Sequence, residues 1–152
     1  MDDWRRHLLE SPQDVAALLA RMRTVLVLGI KPESAAGQPA YEIPWAVAQA
    51  GHTVIPVPTY YPDVTEILGV RVHRTVAAAM TDPAVRRPVV VDVFRRPADL
   101  PAHLDDLLAA RPDAVWLQLG IRHDGVAAAL ARAGIDVVQD RCLKVELERM
   151  PR

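Results

Sequence analysis

Short apolar runs alternate along this chain with stretches whose apolar positions recur every three to four residues. The run Thr24-Val25-Leu26-Val27-Leu28-Gly29 is almost wholly apolar, the pattern of a parallel strand covered on both faces. Comparable runs follow at 53–57, at 88–94 (β-branched, between prolines), at 114–118 and at 135–138. Helical spacing fills the intervals. Ser11-Pro12-Gln13-Asp14 carries a serine cap, a first-turn proline and an acid three residues after the cap, and Val15, Leu18, Leu19 and Met22 then share one face. A loop over 30–40, with Pro32, Gly37 and Pro39, leads into a helix over 41–50 that places Pro44 in its first turn and stops at Gly51. Further helices are predicted over 75–80, through Leu100, Leu104, Leu107 and Leu108, from Asp124 to Gly134 with Val126, Leu130 and Ala133 inward, and through Leu143, Leu147 and Met150. Val64–Leu68 reads as one helical turn and Arg71-Val72-His73 as a short edge piece.

Strands alternating with helices predict an α/β fold: a doubly wound, mostly parallel sheet flanked by helices, in one domain over 24–152 behind an N-terminal helical extension over 1–23. Composition narrows the function classes. The chain has 152 residues, 51% of them hydrophobic and 24% charged, with a formal net charge of -1. That balance gives no electrostatic reason to expect nucleic acid or an anionic membrane as partner. A single cysteine, Cys142, rules out an internal disulfide, and the first residues carry no apolar run of signal-peptide length, so a cytoplasmic location is expected. Of the basic residues only Lys31 and Lys144 are lysines.

In a doubly wound sheet, ligands sit outside the carboxyl ends of the strands, near the switch in strand order. Four segments meet at that edge: Gly29-Ile30-Lys31, Pro56-Val57-Pro58-Thr59, Phe94-Arg95-Arg96-Pro97 and Gln118-Leu119-Gly120-Ile121-Arg122. Main-chain amides after Gly29 can hold a pyrophosphate, and Lys31, Arg95, Arg96 and Arg122 can supply positive charge to it. An NAD site places an acid about 20 residues beyond its glycine motif. Here the second strand ends in Val57-Pro58-Thr59 with no carboxylate before Asp63, and the first turn is not G-x-G-x-x-G. Both features turn the reading toward a phosphorylated ribose, as in coenzyme A or NADP. Histidines 7, 52, 73, 103 and 123 show no paired acid or ligand spacing, and no catalytic triad, metal motif or Walker loop is present. Asp92 within its apolar strand reads as a carboxylate bonded to a neighbouring loop or helix start, Trp45 and Trp116 as core, and Asp140-Arg141-Cys142 as a buried ion pair and a packed thiol.

Taken together, Val27-Leu28-Gly29, Gly51-His52-Thr53-Val54-Ile55-Pro56-Val57, Val91-Asp92-Val93-Phe94-Arg95-Arg96, Val115-Trp116-Leu117-Gln118-Leu119-Gly120-Ile121 and Gln139-Asp140-Arg141-Cys142 are distinctive. On these residues the chain resembles the small stand-alone CoA-binding proteins of the succinyl-CoA synthetase alpha-subunit type, from about Thr24 to Arg149. The resemblance implies a Rossmann-like fold that holds coenzyme A, or an acyl-CoA, across the strand ends. It implies contacts from Gly29, Ile30, Lys31, Pro32, Tyr41, Val57, Pro58, Thr59, Phe94, Arg95, Arg96, Gln118, Gly120 and Ile121. The ADP portion would lie on the Gly29 loop and near Pro58, the pantetheine near Phe94 and Gly120. Two departures stand out: Ile30-Lys31-Pro32-Glu33 replaces the usual serine and basic residue of the first loop, and no basic residue follows Pro58 to meet the 3′-phosphate. The phosphorylated histidine of the synthetases lies on a domain this chain lacks. The expected role is therefore a non-catalytic carrier, sensor or subunit-like module with a small-molecule ligand, no metal, and a protein partner or a second copy as further company. An NADP- or other nucleotide-dependent Rossmann enzyme is the alternative.

Overall fold

In the computed structural model, which describes residues 3–151, the strands are β1 (Thr24–Leu28), β2 (Thr53–Val57), β3 (Glu66–Ile67), β4 (Val70–Arg71), β5 (Val89–Val93), β6 (Ala114–Leu117) and β7 (Asp136–Val138). Residues 1, 2 and 152, the outer limits of the expected extension and domain, lie outside the described residues. Five strands form one sheet in the order β2-β1-β5-β6-β7, every neighbouring pair parallel. The chain moves outward from β1 to β2, then returns to the other side of β1 to continue with β5. The strand order therefore reverses between β1 and β5, which opens a crevice at their carboxyl ends.

Among the described residues, six α-helices cover the sheet: α1 (Pro12–Arg21), α2 (Pro39–Gln49), α3 (Val76–Ala79), α4 (Leu104–Ala110), α5 (Asp124–Arg132) and α6 (Leu143–Glu148). Because successive strand residues point to opposite faces, Leu26, Leu28, Val89, Val91 and Val93 pack with Val76, Leu107 and Leu130 of α3, α4 and α5. Val25, Val27, Val90 and Trp116 pack with Leu18, Val47 and Leu143 of α1, α2 and α6. Both faces of the sheet are buried, which is why the strands read as apolar runs rather than as alternation. The doubly wound, Rossmann-like α/β architecture expected from the sequence is the one observed.

The N-terminal segment is stitched to the sheet. Ser11 Oγ accepts the Asp14 N–H at 3.1 Å, and Val15, Leu18 and Leu19 of α1 are buried. Leu8 makes a parallel bridge to Val137, and the Leu9 N–H donates to the Val137 carbonyl at 2.8 Å, so the open edge of β7 is occupied. At the opposite edge, the His73 N–H donates to the Pro56 carbonyl of β2 at 3.0 Å.

Several local expectations change. Residues 64–68 are not a helical turn: β3 and β4 form a tight antiparallel hairpin whose turn residues Leu68 and Gly69 have φ of 55° and 72°. Positive φ at both central positions matches the right-handed twist of the strands, and Gly69 supplies half of it without strain. Helix α2 begins at Pro39, so Pro44 lies in its second turn. A 3-10 segment, Pro97–His103, precedes α4, because Pro101 has no N–H to continue an α-helix. Trp116 is core, but Trp45 is 45% exposed on α2. The histidines do find partners: His7 lies 2.8 Å from Asp136 and His73 2.9 Å from Asp82, and all five are half-buried. Asp92 bonds to no loop and no helix start; it is fully buried between Val27 and Trp116 and neither carboxyl oxygen has a hydrogen-bond partner.

Candidate ligand-binding site at the carboxyl edge of the sheet

The switch point is built around Gly29. Its N–H donates to the Val57 carbonyl of β2 at 2.9 Å, while the Phe94 N–H donates to the Leu28 carbonyl at 2.8 Å. The chain thus turns out of β1 while still wedged between its two neighbours. Gly29 has φ of +87°, and a Cβ there would overlap the Phe94 carbonyl oxygen, so conformation and space both require glycine.

Beyond the turn, the loop is tied to the start of α2. Pro44 has no N–H to offer the Ala40 carbonyl one turn back, and that carbonyl accepts the Lys31 N–H instead, at 3.1 Å. Lys31 Nζ donates to Gln38 Oε1 at 2.6 Å. Glu42 Oε2 accepts the Gly37 N–H and Glu33 Oε2 accepts the Leu68 N–H, each at 2.8 Å, so the β3–β4 hairpin braces the loop. No side chain caps the amino end of α2. Pro39 has no N–H and the Tyr41 N–H donates to the Gln38 carbonyl at 3.0 Å, so the Ala40 N–H and the positive end of the helix dipole are what this end offers to the crevice.

Two clefts share this edge. The first, of about 380 Å³, is lined by Gly29, Lys31, Gln38, Pro39, Ala40, Phe94, Arg95, Arg96, Pro97, Leu119, Gly120 and Ile121. The second, of about 500 Å³, is lined by Pro58, Thr59, Tyr60, Pro62, Arg74 and His103. Both fall within the roughly 300–1,000 Å³ of small-molecule sites. Arg95 stands on the divide. Its Nη1 donates to Thr59 Oγ1 and its Nε to His103 Nε2, each at 3.2 Å, and Nη2 lies 3.5 Å from Asp99. Burial holds the His103 pKa below its ordinary value, and the Arg95 charge adds to the effect, so a neutral ring accepts the guanidinium proton. Arg96 hydrogen-bonds Asp99 from a largely exposed position and depresses the Asp99 pKa.

The far wall is fastened just as firmly. The Gly120 N–H donates to Asp140 Oδ1 at 2.6 Å, and the Asp140 N–H returns to the Ile121 carbonyl at 3.1 Å. Gln118 Oε1 accepts the Leu143 N–H at 2.9 Å, and Gln139 Oε1 accepts the His123 N–H at 2.8 Å. Asp140 thus clamps a loop instead of joining an ion pair; Arg141 pairs with Glu146 at 3.4 Å.

Of the residues expected at the site, Gly29, Lys31, Phe94, Arg95, Arg96, Gly120 and Ile121 meet in the first cleft, and Pro58 and Thr59 line the second. Ile30, Pro32, Val57 and Gln118 are buried, and Tyr41 is half-buried on α2 outside both linings. Arg122 lies elsewhere, beside Asp124 in a separate cleft with Leu8, Leu9 and Arg141. The sequence reading missed Gln38, Pro39 and Ala40 by starting α2 at Tyr41, although a proline marks a first helical position. It also missed Arg74, which reaches the second cleft from beyond the hairpin and donates to the carbonyls of Tyr60, Tyr61, Pro62 and Val64.

Comparison with known proteins agrees with this fold. A structure described as cell-free ID.343 from Thermus thermophilus is 37% identical, with a TM-score of 0.76 over 92% of this chain and 98% of that one. A hypothetical protein from Pyrococcus horikoshii OT3 shares the fold, with 22% identity and a TM-score of 0.77 over 93% of this chain and 92% of that one. The uncharacterized protein YneT of Bacillus subtilis (strain 168) is 26% identical over 136 residues, 89% of this chain and 93% of that protein. The model of the CoA binding domain family matches residues 23–148, nearly the whole folded body, and the chain belongs to that family.

Proposed function

We propose that this protein binds coenzyme A along the carboxyl edge of its sheet and serves in the cytoplasm as a non-catalytic carrier, sensor or subunit-like module. One observation carries the reading. The Gly29 turn and the uncapped start of α2 face a cleft bordered by Lys31, Arg95 and Arg96, and no carboxylate is among the residues lining it or its neighbour. Such a place favours a pyrophosphate, and the nearby Asp99 carboxylate is paired with Arg95 and Arg96. The ADP portion lies from the Gly29 loop toward Pro58, with Tyr60, 72% exposed, beside the adenine. The cation missing after Pro58 in the sequence is supplied in space by Arg74, which takes the 3′-phosphate together with Arg95. The non-catalytic role is supported by the first cleft, where the one side-chain nucleophile of the lining, the Lys31 amine, is tied to Gln38 Oε1.

Thermal unfolding in the presence of CoA, dephospho-CoA, NAD, NADP and ATP tests this, because a ligand that binds only the folded state raises the melting temperature. CoA should give the largest shift and dephospho-CoA a smaller one. A shift with NADP or ATP and none with CoA would refute the proposal. Arg95→Ala with Arg96→Ala should weaken CoA binding in a folded protein.

A further inference from the structure

We infer that the ligand held at this edge is an acyl thioester of CoA, with an apolar acyl group resting on Leu119, rather than the free thiol; this rests on the CoA reading above. Away from Lys31 and the arginines, the first cleft is walled by Pro39, Ala40, Phe94, Pro97, Leu119 and Ile121. Leu119 is 69% exposed at its far lip. A lone exposed leucine needs no explanation, but this one continues an apolar wall inside a cleft. Nor is it free to fold away. The loop that carries it is clamped by the Gly120–Asp140, Asp140–Ile121 and Gln118–Leu143 hydrogen bonds described above, and by the Ile121 N–H donating to the Gln118 carbonyl at 2.8 Å. The fold spends these bonds on holding an apolar side chain in water. A thiol at the end of the pantetheine is too small to cover that surface, whereas an acyl chain covers it and gains the burial. The one amine in the cleft lining, Lys31 Nζ, is held by Gln38 Oε1 at 2.6 Å.

Titration calorimetry with CoA, acetyl-CoA, butanoyl-CoA and hexanoyl-CoA decides the matter. Affinity should climb along the series, by up to about fourfold for each methylene that is fully buried. Leu119→Ser, which removes an exposed side chain and leaves no cavity, should flatten the dependence of affinity on acyl length; Leu119→Met should restore the slope. Equal affinity for CoA and all its thioesters would overturn the inference and leave the CoA reading standing. A Leu119→Ser protein that loses free CoA and thioesters alike would also overturn it, placing the leucine on the pantetheine. Failure of every CoA species to bind wild-type protein would remove the CoA reading itself, and the inference with it.

Discussion

Replacing Asp92 by valine should stabilise the protein, by an amount that grows with pH. Asp92 is fully buried in β5, flanked by Val27 and Trp116, and both its oxygens lack partners. Burial drives its pKa well above the ordinary carboxylate range; the Val93 main-chain amide opposes this by less and does not reach hydrogen-bonding geometry. A carboxyl group in that position is held as the neutral acid, and an unpaired polar group of this kind costs roughly 1–3 kcal/mol. Valine has a similar volume, carries no polar atom and suits a strand whose residues 89, 90, 91 and 93 are already valine. The expected gain of about 1–3 kcal/mol corresponds to about 2–4 °C in melting temperature per kcal/mol for a chain of this size.

The pH dependence isolates the carboxyl group from generic packing. Above the unfolded-state pKa of about 3.9 the unfolded chain has released this proton and the folded chain still holds it, so wild-type stability falls as pH rises, by at most about 1.4 kcal/mol per unit. The fall ends when pH passes the folded-state pKa. Valine does not titrate. The gap between variant and wild type in urea unfolding should therefore widen steadily from pH 4.5 upward. A gap that stays constant with pH would mean that Asp92 ionises normally, with water or a counter-charge beside it, and the reading of a neutral buried acid would be wrong.

Gly29→Ala should cost more than the roughly 1–2 kcal/mol of left-handed backbone alone, because its Cβ also overlaps the Phe94 carbonyl; a loss below about 1 kcal/mol in urea unfolding would refute the close β1–β5 approach. His52 and His103 both have pKa values lowered by burial, so they contribute stability above their unfolded pKa of about 6.5 that is lost as pH falls below it. Unfolding of the double glutamine variant against wild type should show that slope as a difference, in which the opposite trend of Asp92 cancels; identical pH profiles would contradict it. Pro44→Ala restores a helical donor to the Ala40 carbonyl, which then competes with the Lys31 N–H. CoA affinity should fall while stability holds or rises, and unchanged affinity would show that this link does not position the loop.

The parts of this fold legible in the sequence are those set by local physics. Apart from Thr24 and Asp92, β1, β5 and β6 are apolar because both faces are covered, and α1 shows its cap, its first-turn proline and its stripe within a dozen residues. Topology then delivers Gly29, Arg95 and Gly120 to one edge, and the sequence predicts that convergence without any contact being known. The failures are non-local. Val64–Leu68 has helical spacing, yet Gly69 and the Glu33 carboxylate waiting for the Leu68 N–H make it a hairpin. Arg74 is remote from Pro58 along the chain and joins its cleft only because that hairpin folds back. Asp92 suggested a partner because buried charges usually have one; nothing in the sequence could reveal that it has none.

Pro44 shows how one residue can serve fold and site together. In the second turn of α2 it costs the helix a hydrogen bond, which read locally is a defect. The carbonyl it strands belongs to Ala40, at the very start of the helix, where it faces the loop that leaves β1. The Lys31 N–H takes up that carbonyl, and the loop is drawn against the uncapped helix end instead of swinging free. The same bond fixes the backbone of the cationic residue nearest the Gly29 turn and sets the spacing between that turn and the first amides of α2. A pyrophosphate is met best by the Lys31 ammonium and the Ala40 N–H together, at a separation that a flexible loop would not hold. The helix gives up one internal bond, and the crevice gains a rigid rim before any ligand arrives.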